Sequence, residues 1–280
     1  MLSTNDIINI FLPVLSHWII WLIFLVVVII VLLLYVYSYK KPRREFRSYH
    51  LGIPITNIIS LYIFTKMLEG VLYQGAILKI DAWFNAIIYP IWITKIASFI
   101  TNFGSGVIIT IFLMVILGAF VLRKRWRYTL LSIVAILGAT ILQLAIKSLV
   151  HRIRPENLIE TGFSFPSGHA TTAIVFVSLL IYSFKDDFKN LIVKYILIIL
   201  STSFFVAVGI SRIILHVHWF SDVIAGMSLG LFWFMLVVLV ERSITGLIPA
   251  VRRETKKAKP IIPKGAVETA KKIFPEVLKK

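Results

Sequence analysis

Long unbroken apolar runs dominate the chain, with no period-two alternation of the kind a half-buried strand would show. They occupy residues 14–37, 51–74, 106–122, 128–146, 169–184, 195–210 and 222–240. Each approaches the ~20 residues that a helix needs to cross the hydrocarbon core. In lipid a backbone must satisfy its own hydrogen bonds, so runs of this length predict helices. The second run is the least regular, because Asn57, Lys66 and Glu69 interrupt it. Lys66 and Glu69 are three residues apart and can pair on one helix face, which lowers the cost of insertion; the alternative is a helix packed at the interface. Residues 81–100 carry Trp83, Tyr89 and Trp92 around Pro90. Aromatic rings favour the headgroup level, so this segment predicts two short interfacial helices kinked at Pro90. It serves either to admit a lipid sideways or simply as a connector with anchoring aromatics.

Composition supports the bilayer: 59% of residues are hydrophobic and the mean hydropathy is +0.90, far above a soluble domain. The net charge of +17 reads first as topology. Lys40, Lys41, Arg43, Arg44 and Arg47 follow the first run, Arg123, Lys124, Arg125 and Arg127 follow the third, and residues 252–280 hold ten Lys or Arg against three Glu. Short basic loops face the cytoplasm, so seven spans are predicted with the N-terminus outside and the C-terminus inside. Lys185, Lys189 and Lys194, mixed with Asp186 and Asp187, fall on the cytoplasmic side too. If residues 51–74 did not span, the first helix would flip, but the later spans would keep their orientation. A secondary role for the basic loops and tail is affinity for anionic lipid headgroups; nucleic acid is not an expected partner. The first apolar run precedes its basic cluster and is too long for a cleavable signal, so it reads as an anchor. The absence of cysteine excludes thiolate catalysis, zinc-thiolate sites and disulfides.

The expected fold is an all-α integral membrane protein, a six-helix core bundle plus one extra N-terminal transmembrane helix. Its expected divisions are an anchor and basic cytoplasmic loop at 1–48, a six-helix domain at 49–245 and a basic cytoplasmic tail at 246–280. The tail reads as a solvated segment near anionic lipid, with a short amphipathic helix at 266–278 limited by Pro275, or alternatively as a disordered end or tag.

Three polar clusters stand out at the ends of apolar runs, all on the extracytoplasmic side of this topology: KSLVHRIRP at 147–155, PSGH at 166–169 and SRIILHVHWFSD at 211–222. Lys147 and Arg154 are seven apart and share one face of a continuing helix that Pro155 would end. Two cations there suit an oxyanion, or else form a snorkelling basic flank; the scarcity of Lys and Arg expected on that side weighs against the flank. In the second cluster Gly168 permits close backbone approach, and the amides of a helix start form an anion site. Ser167 adds a hydroxyl that can also cap the helix, and His169 is placed to protonate a leaving oxygen. In the third, Arg212 adds another cation. If His218 opens the last helix, Asp222 lies one turn along the same face and can hold one imidazole nitrogen, leaving the other to attack phosphorus. His216 has the wrong spacing to Asp222 and is a minor competitor. A metal site is the rival use of these histidines and Asp222. It would need more carboxylates, and only Glu156 and Glu160 lie on the proposed side, among cations that repel a divalent ion. No metal or cofactor is therefore expected.

The three clusters, K-x6-RP, PSGH and SR-x5-H-x3-D, resemble in sequence and in order the signature motifs of the type-two phosphatidic acid phosphatase superfamily. The resemblance covers about residues 51–240, more weakly before 106. It implies a metal-free membrane phosphatase in which Lys147, Arg154 and Arg212, with Ser167 and the Gly168 amide, hold phosphate. It further implies that His218 forms a phosphohistidine, Asp222 orients it and His169 protonates the leaving lipid oxygen. The family includes enzymes for phosphatidic acid, phosphatidylglycerol phosphate, undecaprenyl diphosphate and lipid A phosphates. An outward-facing site in the plasma membrane favours a polyprenyl diphosphate carrier, followed by glycerophospholipid phosphates. A phosphotransferase that passes the group to another lipid is an alternative, as is a non-catalytic lipid-phosphate binder or transporter. A binder has no need of both histidines and Asp222. A haloperoxidase shares the anion pocket in related folds, but those proteins are soluble.

Overall fold

The structure is a computed structural model that describes residues 4–39, 51–155, 161–184 and 190–257. Among these residues all regular structure is helical: α1 (Thr4–Tyr39), α2 (Gly52–Leu72), α3 (Ile77–Asn85), α4 (Ile91–Phe103), α5 (Gly106–Leu122), α6 (Trp126–Val150), α7 (Gly168–Phe184), α8 (Leu191–Ile214) and α9 (Phe220–Lys257). Among the described residues six stretches are long and apolar enough to cross a membrane, with α4 and α5 forming one of them, and α7 is a shorter apolar helix. Every expected span thus contains a helix. The basic cluster at 40–47, the charged cluster at 185–189 and the tail helix at 266–278 lie outside the described residues.

The segment expected to be two helices kinked at Pro90 is two separate helices. Pro90 sits ahead of α4 in an extended conformation, ψ 147°, where its fixed φ and missing N–H suit a helix start. Five residues without helical structure therefore divide α3 from α4. At the other end of the chain α9 continues well beyond residue 240, to Lys257.

α9 is the centre of the bundle. Its spanning window is 56% buried, against 6% for α1, so α1 is peripheral and rests on α2 and α9. One core cluster joins Leu131, Ala135 and Ala139 of α6 to Val175 and Leu179 of α7 and to Phe234 and Val238 of α9. A second joins Phe64 of α2 to Phe165, Ala225 and Leu229. The opposite faces of the outer helices, such as Ile111, Met114 and Val115 of α5, present large exposed hydrophobics, as a lipid-facing surface requires.

The polar residues that make the second run irregular all find partners. Asn57 Nδ2 donates to the Phe232 carbonyl at 2.9 Å, and Lys66 pairs with Glu69 at 2.6 Å. Trp21 and His17 of α1 reach the same Glu69 carboxylate. α2 is thus a packed member of the bundle.

α7 and α9 cross closely because Gly226 and Gly230, four residues apart, leave α9 without side chains at the contact. A Cβ on Gly226 would lie 2.5 Å from the Ser167 carbonyl oxygen, and one on Gly230 would lie 2.7 Å from that of Thr171. These neighbours are backbone and cannot rotate away. Gly226→Ala should force the helices apart and cost about 1–3 kcal/mol, read as a lower unfolding temperature in detergent. Gly118→Ala, in open space, should be neutral or slightly stabilising; equal behaviour of the two variants would contradict the packing.

Candidate active site

α6 and α8 end, and α7 and α9 begin, at one end of the bundle, which brings the three polar clusters together. The ion pair between Arg127 and Glu241 marks the other end.

The first cluster departs from expectation. α6 stops at Val150, because His151 adopts the left-handed conformation (φ 52°) as its C-cap and returns its N–H to the Lys147 carbonyl at 3.1 Å. A left-handed residue ends a helix, so Lys147 and Arg154 do not share a helix face. Residues 151–155 form an irregular strap instead, held by the Ser164 N–H to the Arg152 carbonyl at 2.8 Å. The strap turns Arg154 inward. Its Nε donates to the Gly162 carbonyl at 3.1 Å, and its Nη1 donates to the Val217 carbonyl at 2.8 Å and to His218 Nε2 at 3.1 Å. Lys147 Nζ donates to the Phe163 carbonyl at 2.6 Å.

In the second cluster α7 begins at Gly168, and the half-buried His169 lies in its first turn. The Ser167 N–H donates to the Asp222 carbonyl at 2.9 Å, which ties this turn to α9. Ser167 Oγ is fully buried and has no hydrogen-bond partner among the described residues. It therefore does not cap α7 as expected. Gly168 faces Gln143 of α6, whose Oε1 would lie 2.8 Å from an added Cβ. A side chain here would displace the end of Gln143.

In the third cluster the buried Arg212 lies in the last turn of α8, and its Nη1 donates to Thr101 Oγ1 of α4 at 2.7 Å. Its carbonyl accepts the N–H groups of Val217 and His218 at 3.3 Å, which hold the turn carrying the imidazole. His216, at φ 50°, pairs with Asn85 Oδ1 at 3.0 Å and stands apart from Asp222. His218 does not open α9; the helix begins two residues later, at Phe220. The expected contact forms all the same. Asp222 reaches back from the first turn to accept the Trp219 N–H at 3.0 Å, a capping arrangement, and its Oδ2 meets His218 Nδ1 at 3.4 Å.

These partners determine the tautomer. A guanidinium can only donate, so His218 Nε2 accepts from Arg154; an ionised carboxylate can only accept, so Nδ1 carries the proton. Burial, the largest influence, pushes the His218 imidazole down to about 4. Asp222 opposes that shift, while the charges of Arg154 and Lys147 add to it. At neutral pH the ring is uncharged, with a lone pair on Nε2.

Two residues without an expected role complete the site. Arg152 Nη1 donates to Asp222 Oδ1 at 2.6 Å and to Ser221 Oγ at 2.7 Å, and Nη2 donates to Asp81 Oδ2 at 2.7 Å. Asp81, on α3 and 2% exposed, also accepts the Ser221 N–H at 2.8 Å and the Ser221 hydroxyl at 2.7 Å. Arg152 was visible as a further cation in the first cluster, and Asp81 as a lone acid in an aromatic segment. Their meeting across 71 residues has no local signal. No set of three His, Asp or Glu side chains gathers as metal ligands among the described residues. Glu156 and Glu160 lie outside them.

Comparison with known proteins adds three findings. The family model of the PAP2 superfamily matches residues 128–244. Phosphatidylglycerophosphatase B of Bacillus subtilis is 30% identical over 188 residues, covering 64% of this chain and 92% of that protein. The crystal structure of a transmembrane PAP2-type phosphatidylglycerolphosphate phosphatase from Bacillus subtilis superposes with a TM-score of 0.54 at 27% identity, covering 74% of this chain and 98% of that one.

The depressed His218 value has a measurable sign. Between the ordinary 6.5 and about 4, the unfolded chain binds a proton at His218 that the folded chain refuses. Its contribution to stability is fully present above that window and is lost as pH falls through it. Thermal unfolding in detergent should lose stability from pH 6.5 to 4 more steeply for wild type than for His218→Gln. Parallel profiles would mean that the folded imidazole accepts the proton.

Proposed function

Since this chain belongs to the PAP2 superfamily and is similar to membrane phosphatases within it, we propose that it hydrolyses a phosphomonoester or diphosphate on a lipid through a phosphohistidine, without metal. The observation that carries this reading is the doubly specified imidazole of His218: Nδ1 faces Asp222 and Nε2 faces Arg154.

In the first step the Nε2 lone pair attacks phosphorus, and the bond from phosphorus to the lipid oxygen breaks with its electrons. His169, in its protonated form, gives that oxygen a proton. His218 keeps its Nδ1 proton toward Asp222, which offsets the positive charge growing on the ring. In the second step His169, now neutral, takes a proton from water as the water oxygen attacks phosphorus. The phosphorus–nitrogen bond breaks, its electrons return to Nε2, and inorganic phosphate leaves. Lys147, Arg154 and Arg212, with the Ser167 hydroxyl and Gly168 amide, hold the transferring group. Fixed positive charge at the equatorial oxygens is the main requirement of phosphoryl transfer, and here guanidinium and ammonium groups supply the charge that a metal supplies elsewhere.

The positive-inside bias of the basic loops supports an extracytoplasmic site in the cell membrane, with the C-terminus in the cytoplasm. On that basis residues 1–48 form an anchor and loop, 49–245 the phosphatase domain and 246–280 a tail near anionic lipid. The site chemistry suits any lipid phosphate presented at the outer leaflet. A polyprenyl diphosphate fits an outward-facing carrier-recycling role. Phosphatidylglycerol phosphate gains support from the name of the Bacillus subtilis relative, and phosphatidic acid is the third candidate.

Purified protein in detergent should release inorganic phosphate from at least one of these three lipids, undiminished by EDTA. His218→Ala should abolish release, and His169→Ala should lower it by about 10²–10⁴-fold. Full activity in His218→Ala, or loss with EDTA, would overturn the mechanism.

A further inference from the structure

We infer that Asp81 of α3 and Arg152 of the strap are positioning residues for the His218–Asp222 pair, so that the short helix α3 sets the geometry of the proposed nucleophile. This deepens the reading of the site given above and rests on it. α3 lies outside residues 128–244, the part of the chain matched by the family model.

A carboxylate can rotate about its last bond, and Asp222 has two oxygens with different partners. Arg152 Nη1 takes Oδ1 at 2.6 Å, which leaves Oδ2 toward Trp219 N–H and His218 Nδ1. The Oδ2 to Nδ1 separation is 3.4 Å, long for such a bond, so the alignment relies on what holds the carboxylate from behind. Arg152 is itself held by Asp81 through Nη2 and lies against the Trp219 ring, 5.2 Å from its centre. Ser221 closes the circuit: its single hydroxyl proton goes to Asp81 Oδ2 and its oxygen accepts from Arg152 Nη1. Asp81 thereby grips both the guanidinium and the first turn of α9. The stack of Phe84 on Phe220, 4.6 Å between centres and 4° between planes, docks α3 against that same turn. Arg152 and Asp81 do not approach the phosphate-holding cations through any of these bonds, so their loss should misplace the imidazole and spare phosphate binding.

The test compares wild type, Asp81→Asn, Arg152→Lys, Asp222→Asn and the Asp81→Asn/Asp222→Asn double variant. Phosphate release from a short-chain lipid phosphate in detergent gives kcat and KM, and inhibition by inorganic phosphate reports on the anion site separately. Asp81→Asn should lower kcat by about 10–100-fold, the cost of a displacement of about an ångström in a reacting group. KM and the inhibition constant for phosphate should stay within about twofold. Arg152→Lys keeps the charge but loses the planar fork that spans two carboxylates, and should fall in the same way. In the Asp222→Asn background Asp81→Asn should add nothing, because its effect passes through Asp222. A normal kcat in Asp81→Asn, a parallel rise in the phosphate inhibition constant, or a full multiplicative loss in the double variant would overturn the positioning role alone. A wild-type chain that released no phosphate from any lipid phosphate would overturn the functional reading and this role together.

Discussion

The buried bridge from Arg152 to two aspartates is the constraint around which this end of the bundle is arranged. Taking three charges out of water is costly, and such a cluster survives only if nearly every donor and acceptor is matched. Here the guanidinium meets Asp222, Asp81 and the Ser221 hydroxyl, and the aspartates take up the N–H groups at the start of α9. Three segments far apart in sequence must therefore arrive together: α3, the strap after α6 and the first turn of α9. A helix shifted by one residue would strand a charge without its partner.

Packing below this layer makes the arrangement possible. α9 has the most buried spanning window and presents Asp222, and Gly226, one turn further along, leaves no room for a Cβ against the Ser167 carbonyl just before α7. The bond from the Ser167 N–H to the Asp222 carbonyl depends on that closeness. The apolar core and the polar site thus share a helix and a contact.

Much of this was legible in the chain. Apolar runs of spanning length report helices because lipid leaves no other way to satisfy a backbone, and all seven runs contain one. The spacing of His218 and Asp222 reported their contact even though the helix begins two residues late, because a capping carboxylate reaches backward by about a turn. The Lys147–Arg154 spacing misled for the opposite reason: a left-handed His151 ends α6 early, and no residue pattern there, such as a glycine, announces it. Asp81 and Arg152 stayed silent because neither has a meaningful spacing; only the docking of α3 gives them one. Ser167, read as a hydroxyl donor that can also cap the helix, is enclosed instead, and its hydroxyl has no partner among the described residues.

The hydrogen bond from Arg154 to His218 Nε2 carries a last implication under the proposed mechanism. In this arrangement the lone pair that would attack phosphorus is already engaged by a cation. A neutral electrophile would meet a nitrogen whose lone pair is occupied. An anion, by contrast, would compete with that nitrogen for the guanidinium. Selection for negative charge would then begin at the reacting atom itself, before the shape of the lipid is read.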